Sequence, residues 1–567
     1  MNDTTTTTTT TVDDEAAESI GGGDDAALPA APEALLALLG SFSRTRSVSS
    51  EAVRLGWKLA KIALRQSDIS PAVGDRRFTD PAWTTNPFYR RVLQMYLAST
   101  EALDRIVRQE GPDAEDSVRA QMAVFASTIL SSAAAPTNYL LTNPAAIKEA
   151  FDTGGMSLVR GMANALADLR HNRGMPSMAE RGAFEVGVDL AVTPGEVVSR
   201  DDVAELLQYT PSTPTVYERP VLMVPPPIGR YYFLDLRPGR SFVEYLVQRS
   251  MQTFMLSWRN PGAEQGDWNL NTYAARVSDA LDEVRHITGS ADVNVIGFCA
   301  GGIIATALLN HLAAQGDTRV HSMSYAVTLL DFEHKSQLAA FAAPGLLKFA
   351  KQRSRRNGII SAHDMSGAFT WMRPDDLVFN YVVNNYLMGR KPPAFDILAW
   401  NADGTNLPGA LHGQFLDIFA HNLLVKRNAM KALGTPIDLG RIALPTFVSG
   451  AVADHLTPWK NCYRTTQLLG GDSTFVLSHS GHIASLVNPP GNPKAHYWSG
   501  GEPGPDPDAW REAATRHTGS WWEAWAEWLT PKAGDLFPAP GRPGSDRQES
   551  LGAAPGHYVR DQDRRNK

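Results

Sequence analysis

The run Gly297-Phe298-Cys299-Ala300-Gly301-Gly302 sets a cysteine among small residues where an apolar strand pattern gives way to a helical one. A nucleophile on so sharp a strand-to-helix turn stands clear of the sheet. Small residues around it are needed because the turn is strained and draws strand and helix together. Here cysteine takes the place more often held by serine. The free N–H groups of a helix's first turn favour a thiolate, so Cys299 is the expected nucleophile of a covalent acyl transfer. The only other cysteine, Cys462, falls inside a helical pattern over Trp459–Leu469 and reads as a packing residue.

Such a nucleophile needs a general base, and its partners follow along the chain in the order acid, then histidine. The run Val448-Ser449-Gly450-Ala451-Val452-Ala453-Asp454-His455 puts Asp454 after one strand pattern, and Ser478-His479-Ser480-Gly481-His482 puts His482 after the next. That order selects Asp454 as the acid and His482 as the base. His455 and His479 are rivals for the base, and Asp331, one strand too early, is the rival acid. Asp454 also reads as a helix cap, because Thr457-Pro458-Trp459 opens a helical pattern. An oxyanion needs two N–H donors. One is the backbone of Ala300. The other belongs to the loop Val224-Pro225-Pro226-Pro227-Ile228-Gly229, whose prolines lack an N–H and so leave Ile228.

Alternating strands and helices are required to hold these groups on one edge of a sheet. Strand patterns occur at Val221–Val224, Phe254–Leu256, Val293–Phe298, about Ser324–Leu330, Thr446–Ser449 and Thr474–Leu477, with helical patterns over Thr272–Thr288 and Gly301–Ala314. The expectation is an α/β core with a mostly parallel sheet over residues 208–537. The stretch from about 333 to 442 is too long for a connection and reads as an inserted cap. Residues 33–207 show helical spacing and read as a helical N-terminal domain, while 1–32 and 538–567 have the composition of a disordered and a flexible tail.

The 567 residues carry 53 Lys and Arg against 60 Asp and Glu, a net charge of −7 that argues against a general nucleic-acid binder. Two cysteines allow neither a disulfide scaffold nor a cysteine-rich metal site. No phosphate-cradling loop or metal-ligand spacing is present, so no cofactor is expected. The best apolar run, Met122–Pro136, is interrupted by Ser127, Thr128, Ser131 and Ser132, and the Thr-rich acidic start does not resemble a signal peptide. These features lead us to expect a soluble protein of the reducing cytoplasm.

At these positions the chain resembles the poly(3-hydroxyalkanoate) synthases of the long, self-sufficient kind. The likeness rests on the cysteine elbow, on Ser257-Trp258-Arg259-Asn260-Pro261, on Asp376-Leu377-Val378-Phe379-Asn380-Tyr381, and on Ser480-Gly481-His482-Ile483 with Asn488-Pro489-Pro490-Gly491-Asn492-Pro493-Lys494. Upstream, Asp75-Arg76-Arg77-Phe78, Asp80-Pro81-Ala82-Trp83 and Leu141-Thr142-Asn143-Pro144 extend it, so it runs from about Gly74 to Leu529. The resemblance implies an α/β-hydrolase fold with a cap, and polymerisation of (R)-3-hydroxyacyl-CoA with release of CoA. In that reaction Cys299 holds the acyl group, His482 deprotonates the thiol, and Asp454 helps to activate the 3-hydroxyl. It further implies a homodimer working at the surface of polyester granules. Departing from the family's Pro-Pro-Trp-Ile, this chain has Pro227 in place of the tryptophan. Phe298 and Ala484 resemble synthases of short side chains, whereas 486–494 resembles those of medium ones. A thioesterase or esterase of the same fold is the alternative.

Overall fold

The computed structural model describes residues 31–42, 45–108, 118–333 and 344–561. Most of the expected disordered tail therefore lies outside the described residues. Helices α1 (Ala31–Ser41), α2 (Thr45–Ala63), α3 (Pro87–Arg108), α4 (Val118–Ala133) and α5 (Met156–His171) make up most of the N-terminal part. Their small cores centre on Phe78, Trp83 and Leu93, and on Val107, Met122 and Ala126. Before Pro144, the Asn143 side chain accepts the Ala146 N–H at 3.1 Å, so Asn-Pro opens a helix there.

Ten strands form one sheet: β1 (Gly195–Arg200), β2 (Ala204–Tyr209), β3 (Val221–Val224), β4 (Thr253–Trp258), β5 (Val293–Phe298), β6 (Val320–Ala326), β7 (Thr446–Ala451), β8 (Ser473–Ser478), β9 (His496–Ser499) and β10 (Thr515–Thr518). Their spatial order is β1-β2-β4-β3-β5-β6-β7-β8-β9-β10. From β4 to β8 every pairing is parallel, and antiparallel pairs close both ends. Alternation along β3 sends Leu222 and Val224 into one core and Val221 and Met223 into the other. Helices α6 (Leu270–Thr288) and α7 (Ala300–Gln315) line the first core, and α8 (Trp521–Leu529) lines the second. In α8, Trp521, Trp522 and Trp525 are buried with every indole N–H donating, to Ser485 O, Leu486 O and Ser324 Oγ. The fold is that of an α/β hydrolase with a helical N-terminal region. Between β6 and β7, helices at Pro344–Asn357, Ala362–Trp371, Asp396–Ala402 and Gly409–His421 make up the inserted segment.

Three readings of the sequence need correction. Residues 195–207, taken as part of the helical domain, form β1 and most of β2; the last helix before them ends at His171, and Ala204–Tyr209 is buried throughout against β4. The β6 pattern expected to reach Leu330 stops at Ala326, because Val327 takes a positive φ of 44°. In the described part of the tail, 538–561, the stretch 551–559 is docked on the sheet rather than loose. Val197 N–H donates to Gly552 O at 2.9 Å, and Leu551 N–H returns a bond to Val197 O at 2.8 Å. The buried Glu205 carboxylate accepts the His557 and Tyr558 N–H groups at 2.9 and 3.0 Å. Composition describes side chains, whereas this segment is held largely through its backbone, which covers an exposed sheet edge.

Candidate active site

Val224, Phe298 and Ala326 end neighbouring parallel strands, so the loops after β3, β5 and β6 meet at one edge. At the elbow Cys299 has φ 49° and ψ −122°, a strained conformation for a residue with a Cβ. Local bonds hold it there: Cys299 N–H donates to Ala326 O at 2.9 Å, while Cys299 O accepts Gly302 N–H at 3.0 Å and Thr328 Oγ1 at 3.1 Å. A Cβ at Gly297 would stand 2.6 Å from Gly302 Cα, and one at Gly301 would overlap Val224 O. These close approaches explain why the elbow tolerates only glycine there, and they show the β3 loop packed on the start of α7.

His482 opens a short helix, His482–Leu486, after β8, and Asp454 lies in the loop after β7. The structure brings them together: His482 Nδ1 is 2.6 Å from Asp454 Oδ2, and both residues are buried. Nδ1 facing the carboxylate leaves Nε2 for the thiol, and Cys299 lies near enough to the ring to favour its protonated form. Burial would lower the imidazole pKa, but the Asp454 charge, the bond to Asp454 and the nearby Cys299 outweigh it and push the ring up to about 10. The Asp454 carboxyl moves the opposite way. Burial raises it, but the His482 charge and donated bonds from His482 and Thr457 bring it below the usual carboxylate range. Its Oδ1 also accepts Leu456 and Thr457 N–H at 2.9 and 2.8 Å, so the turn-capping reading and the histidine-partner reading both describe Asp454.

Of the rival groups, Asp331 and His479 are engaged elsewhere, whereas His455 Nδ1 is buried with no hydrogen-bond partner among the described residues. Asp331 accepts from Asn422 at 2.9 Å and pairs with Arg464. His479 stacks on His496 with ring centroids 4.1 Å apart. His455 is held down to about 4 by burial and the Arg373 charge. Cys462 is fully buried, its thiol donates to Thr457 O, and burial pushes its pKa well up. Ala300 is the first residue of α7, directly after the nucleophile. Ile228 is half-buried on the loop packed against Gly301, and the preceding Pro227 O accepts Thr405 Oγ1 at 2.9 Å. Phe298 points away from the site into the second core, edge-on to Phe233 and Phe242, and Ala484 is exposed, so neither bears directly on the acyl group. Among the described residues no group of three or more His, Cys, Asp or Glu is placed to hold a metal ion.

Sequence reasoning gave no role to Thr457 or Arg230. Thr457 Oγ1 is 2.6 Å from Asp454 Oδ2; an Asp followed three residues later by Thr was the available signal. Arg230, just past the Ile228 loop, donates to Tyr558 O at 2.8 Å and to Asp561 O, and its own carbonyl accepts Trp400 Nε1 at 2.7 Å. No local pattern marks that junction.

Comparison with known proteins adds to this geometry. Residues 74–246 match the family described as poly-beta-hydroxybutyrate polymerase (PhaC) N-terminus, and residues 235–489 match the alpha/beta hydrolase fold. Poly(3-hydroxyalkanoate) polymerase 1 of Ectopseudomonas oleovorans is 44% identical over 91% of this chain and 94% of its own. The poly(3-hydroxyalkanoate) polymerase subunit PhaC of Cupriavidus necator is 38% identical over 86% of this chain and 83% of its own. Among solved structures, a monoacylglycerol lipase of Paleococcus ferrophilus aligns over 58% of this chain and 98% of its own at 15% identity, with a TM-score of 0.34.

Proposed function

The chain belongs to the poly(3-hydroxyalkanoate) polymerase family and is an acyl-transferring enzyme, and we propose that it polymerises (R)-3-hydroxyacyl-CoA through a thioester on Cys299. The observation behind this reading is the strained cysteine elbow beside a buried, hydrogen-bonded His482–Asp454 pair.

The proton that His482 Nε2 carries is the one it has taken from Cys299, and the sulfur attacks the thioester carbonyl. The oxyanion that forms is met by the Ala300 and Ile228 N–H groups. Its collapse breaks the bond to the CoA sulfur, which leaves with the proton from His482. Acylation removes the thiol that helps hold a proton on the ring, so neutral His482 becomes available for the next step. There it takes the proton of a 3-hydroxyl as that oxygen attacks a thioester, the step that most needs a base because an alcohol is a weak acid; the ester C–O bond forms, the C–S bond breaks, and the departing sulfur takes the proton from His482. Asp454 stabilises the imidazolium formed in each half.

Growth of a polyester also requires that water be kept from the acyl-enzyme. The inserted segment supports this, since Trp400 spans to Arg230 and lies against Gly229. Action as a homodimer at the surface of cytoplasmic polyester granules belongs to the same proposal. An outward stripe on α5, Val159, Met162, Leu166 and Leu169, each between 51% and 68% exposed, supports contact with an apolar surface. No helix among the described residues is long and apolar enough to cross a membrane.

The test is CoA release from 3-hydroxybutyryl-CoA and 3-hydroxydecanoyl-CoA, with the product separated into polymer and free acid. Polymer from either substrate is expected, and the preferred one fixes the side-chain class. Free acid alone would move the protein to the thioesterases.

A further inference from the structure

A carboxylate offers about four lone-pair positions, and at Asp454 four donors take them up. Leu456 and Thr457 N–H groups reach Oδ1, while Thr457 Oγ1 and His482 Nδ1 each lie 2.6 Å from Oδ2. Thr457 Oγ1 and His482 Nδ1 are themselves 3.2 Å apart. A hydroxyl has one proton, and the charged oxygen is its strongest and nearest acceptor. The threonine oxygen is then left with lone pairs toward Nδ1, so it can only receive the edge of an Nδ1–H. Thr457 is buried and anchored behind by the Cys462 thiol, which donates to its carbonyl at 3.6 Å.

We propose that Thr457 is a positioning residue for the acyl-transfer reaction: its hydroxyl fixes Oδ2 of Asp454, accepts only a protonated Nδ1 from His482, and so holds Nε2 toward Cys299. The inference rests on the acyl-transfer reading of the site. A hydroxyl donated to the carboxylate also spreads its charge and loosens its hold on the imidazolium proton. The other charged or titratable groups around the pair are Cys299 at the elbow, Cys462 behind Asp454, and His455 beside it, which in turn faces Arg373 and Asp376 of the inserted segment. None of these donates to Oδ2.

Thr457→Val removes the hydroxyl and keeps the branched shape, whereas Thr457→Ser keeps the hydroxyl. The measurement is CoA release against pH at saturating and limiting substrate. Without the hydroxyl the carboxylate holds the imidazolium more tightly, so the acid limb, which reports neutral His482 in the acyl-enzyme, moves to higher pH. Turnover should fall about 10-fold at neutral pH with KM nearly unchanged, the size of loss seen when an orienting partner is removed. Serine should restore both rate and limb. Should valine fail to fold, Thr457→Ala provides the same comparison without adding bulk. An unmoved limb in the hydroxyl-free variant, or a serine variant as impaired as valine, would contradict the positioning role. Absence of CoA release from the wild-type protein would instead contradict the acyl-transfer reading itself, and this proposal with it.

Discussion

A buried imidazole ordinarily gives up its proton, and burial does act in that direction on His482; the Asp454 carboxylate at 2.6 Å and the nearby Cys299 act more strongly and leave the ring at about 10. The unfolded value is near 6.5, so the stability this pairing contributes is complete below about pH 6.5 and is lost as pH rises through about 10. The lowered Asp454 carboxyl contributes above its unfolded value of about 3.9 and loses that contribution as pH falls through its folded value. Asp454→Asn should therefore fall short of the wild-type urea midpoint by the widest margin near pH 6 and by the least near pH 9.5. Equal shortfalls at both pH values would show that charge pairing does not hold these residues. That Cys299, Asp454 and His482 would stand after strands at one sheet edge was legible in the sequence because an elbow is a local pattern and the order of its partners is a property of the chain. Thr457 was not. Its role depends on Oδ2 of one loop meeting Nδ1 of another, and no spacing along the chain encodes that meeting.

At the scale of elements, the β5–α7 junction and the β3 loop work as one unit because glycine lets them touch. An alanine Cβ at Gly301 would overlap Val224 O and come within 2.8 Å of Pro225 O, both backbone atoms with little room to yield. Overpacking of this kind costs about 1–3 kcal/mol. Here it also displaces the loop that bears Ile228, so Gly301→Ala should lose far more CoA release than thermal stability. At Gly367, in the Ala362–Trp371 helix, an added methyl group would meet nothing within 4 Å, and the alanine variant should keep activity and gain up to about 1 kcal/mol of stability. Wild-type turnover in Gly301→Ala would contradict the coupling of loop and elbow. The central strands were readable because burial on both faces leaves short continuous apolar runs such as Val221–Val224. The edges were not, because β1 and the 551–554 backbone pair with each other without any such run.

Over the whole molecule, parts distant in sequence are tied to the inserted segment and to the loop after β3. Helix α5 joins the N-terminal region to the inserted segment: Asn164 donates to Asn385 O and Arg390 O at 2.9 and 3.0 Å, and Tyr386 OH donates to Asp168 at 2.9 Å. Arg230 joins the β3 loop to Asp403 of that segment and to the backbone near Asp561. These ties draw the N-terminal region, the loop after β3, the inserted segment and the end of the described chain together. The proposed thioester on Cys299 can be caught by mass spectrometry of the protein quenched in acid within seconds of mixing with 3-hydroxyacyl-CoA. A 3-hydroxyacyl adduct is expected on the peptide containing Cys299, absent from Cys299→Ala, with CoA release lost in that variant. An unmodified Cys299 in protein that is making polymer, or polymer made by Cys299→Ala, would contradict it.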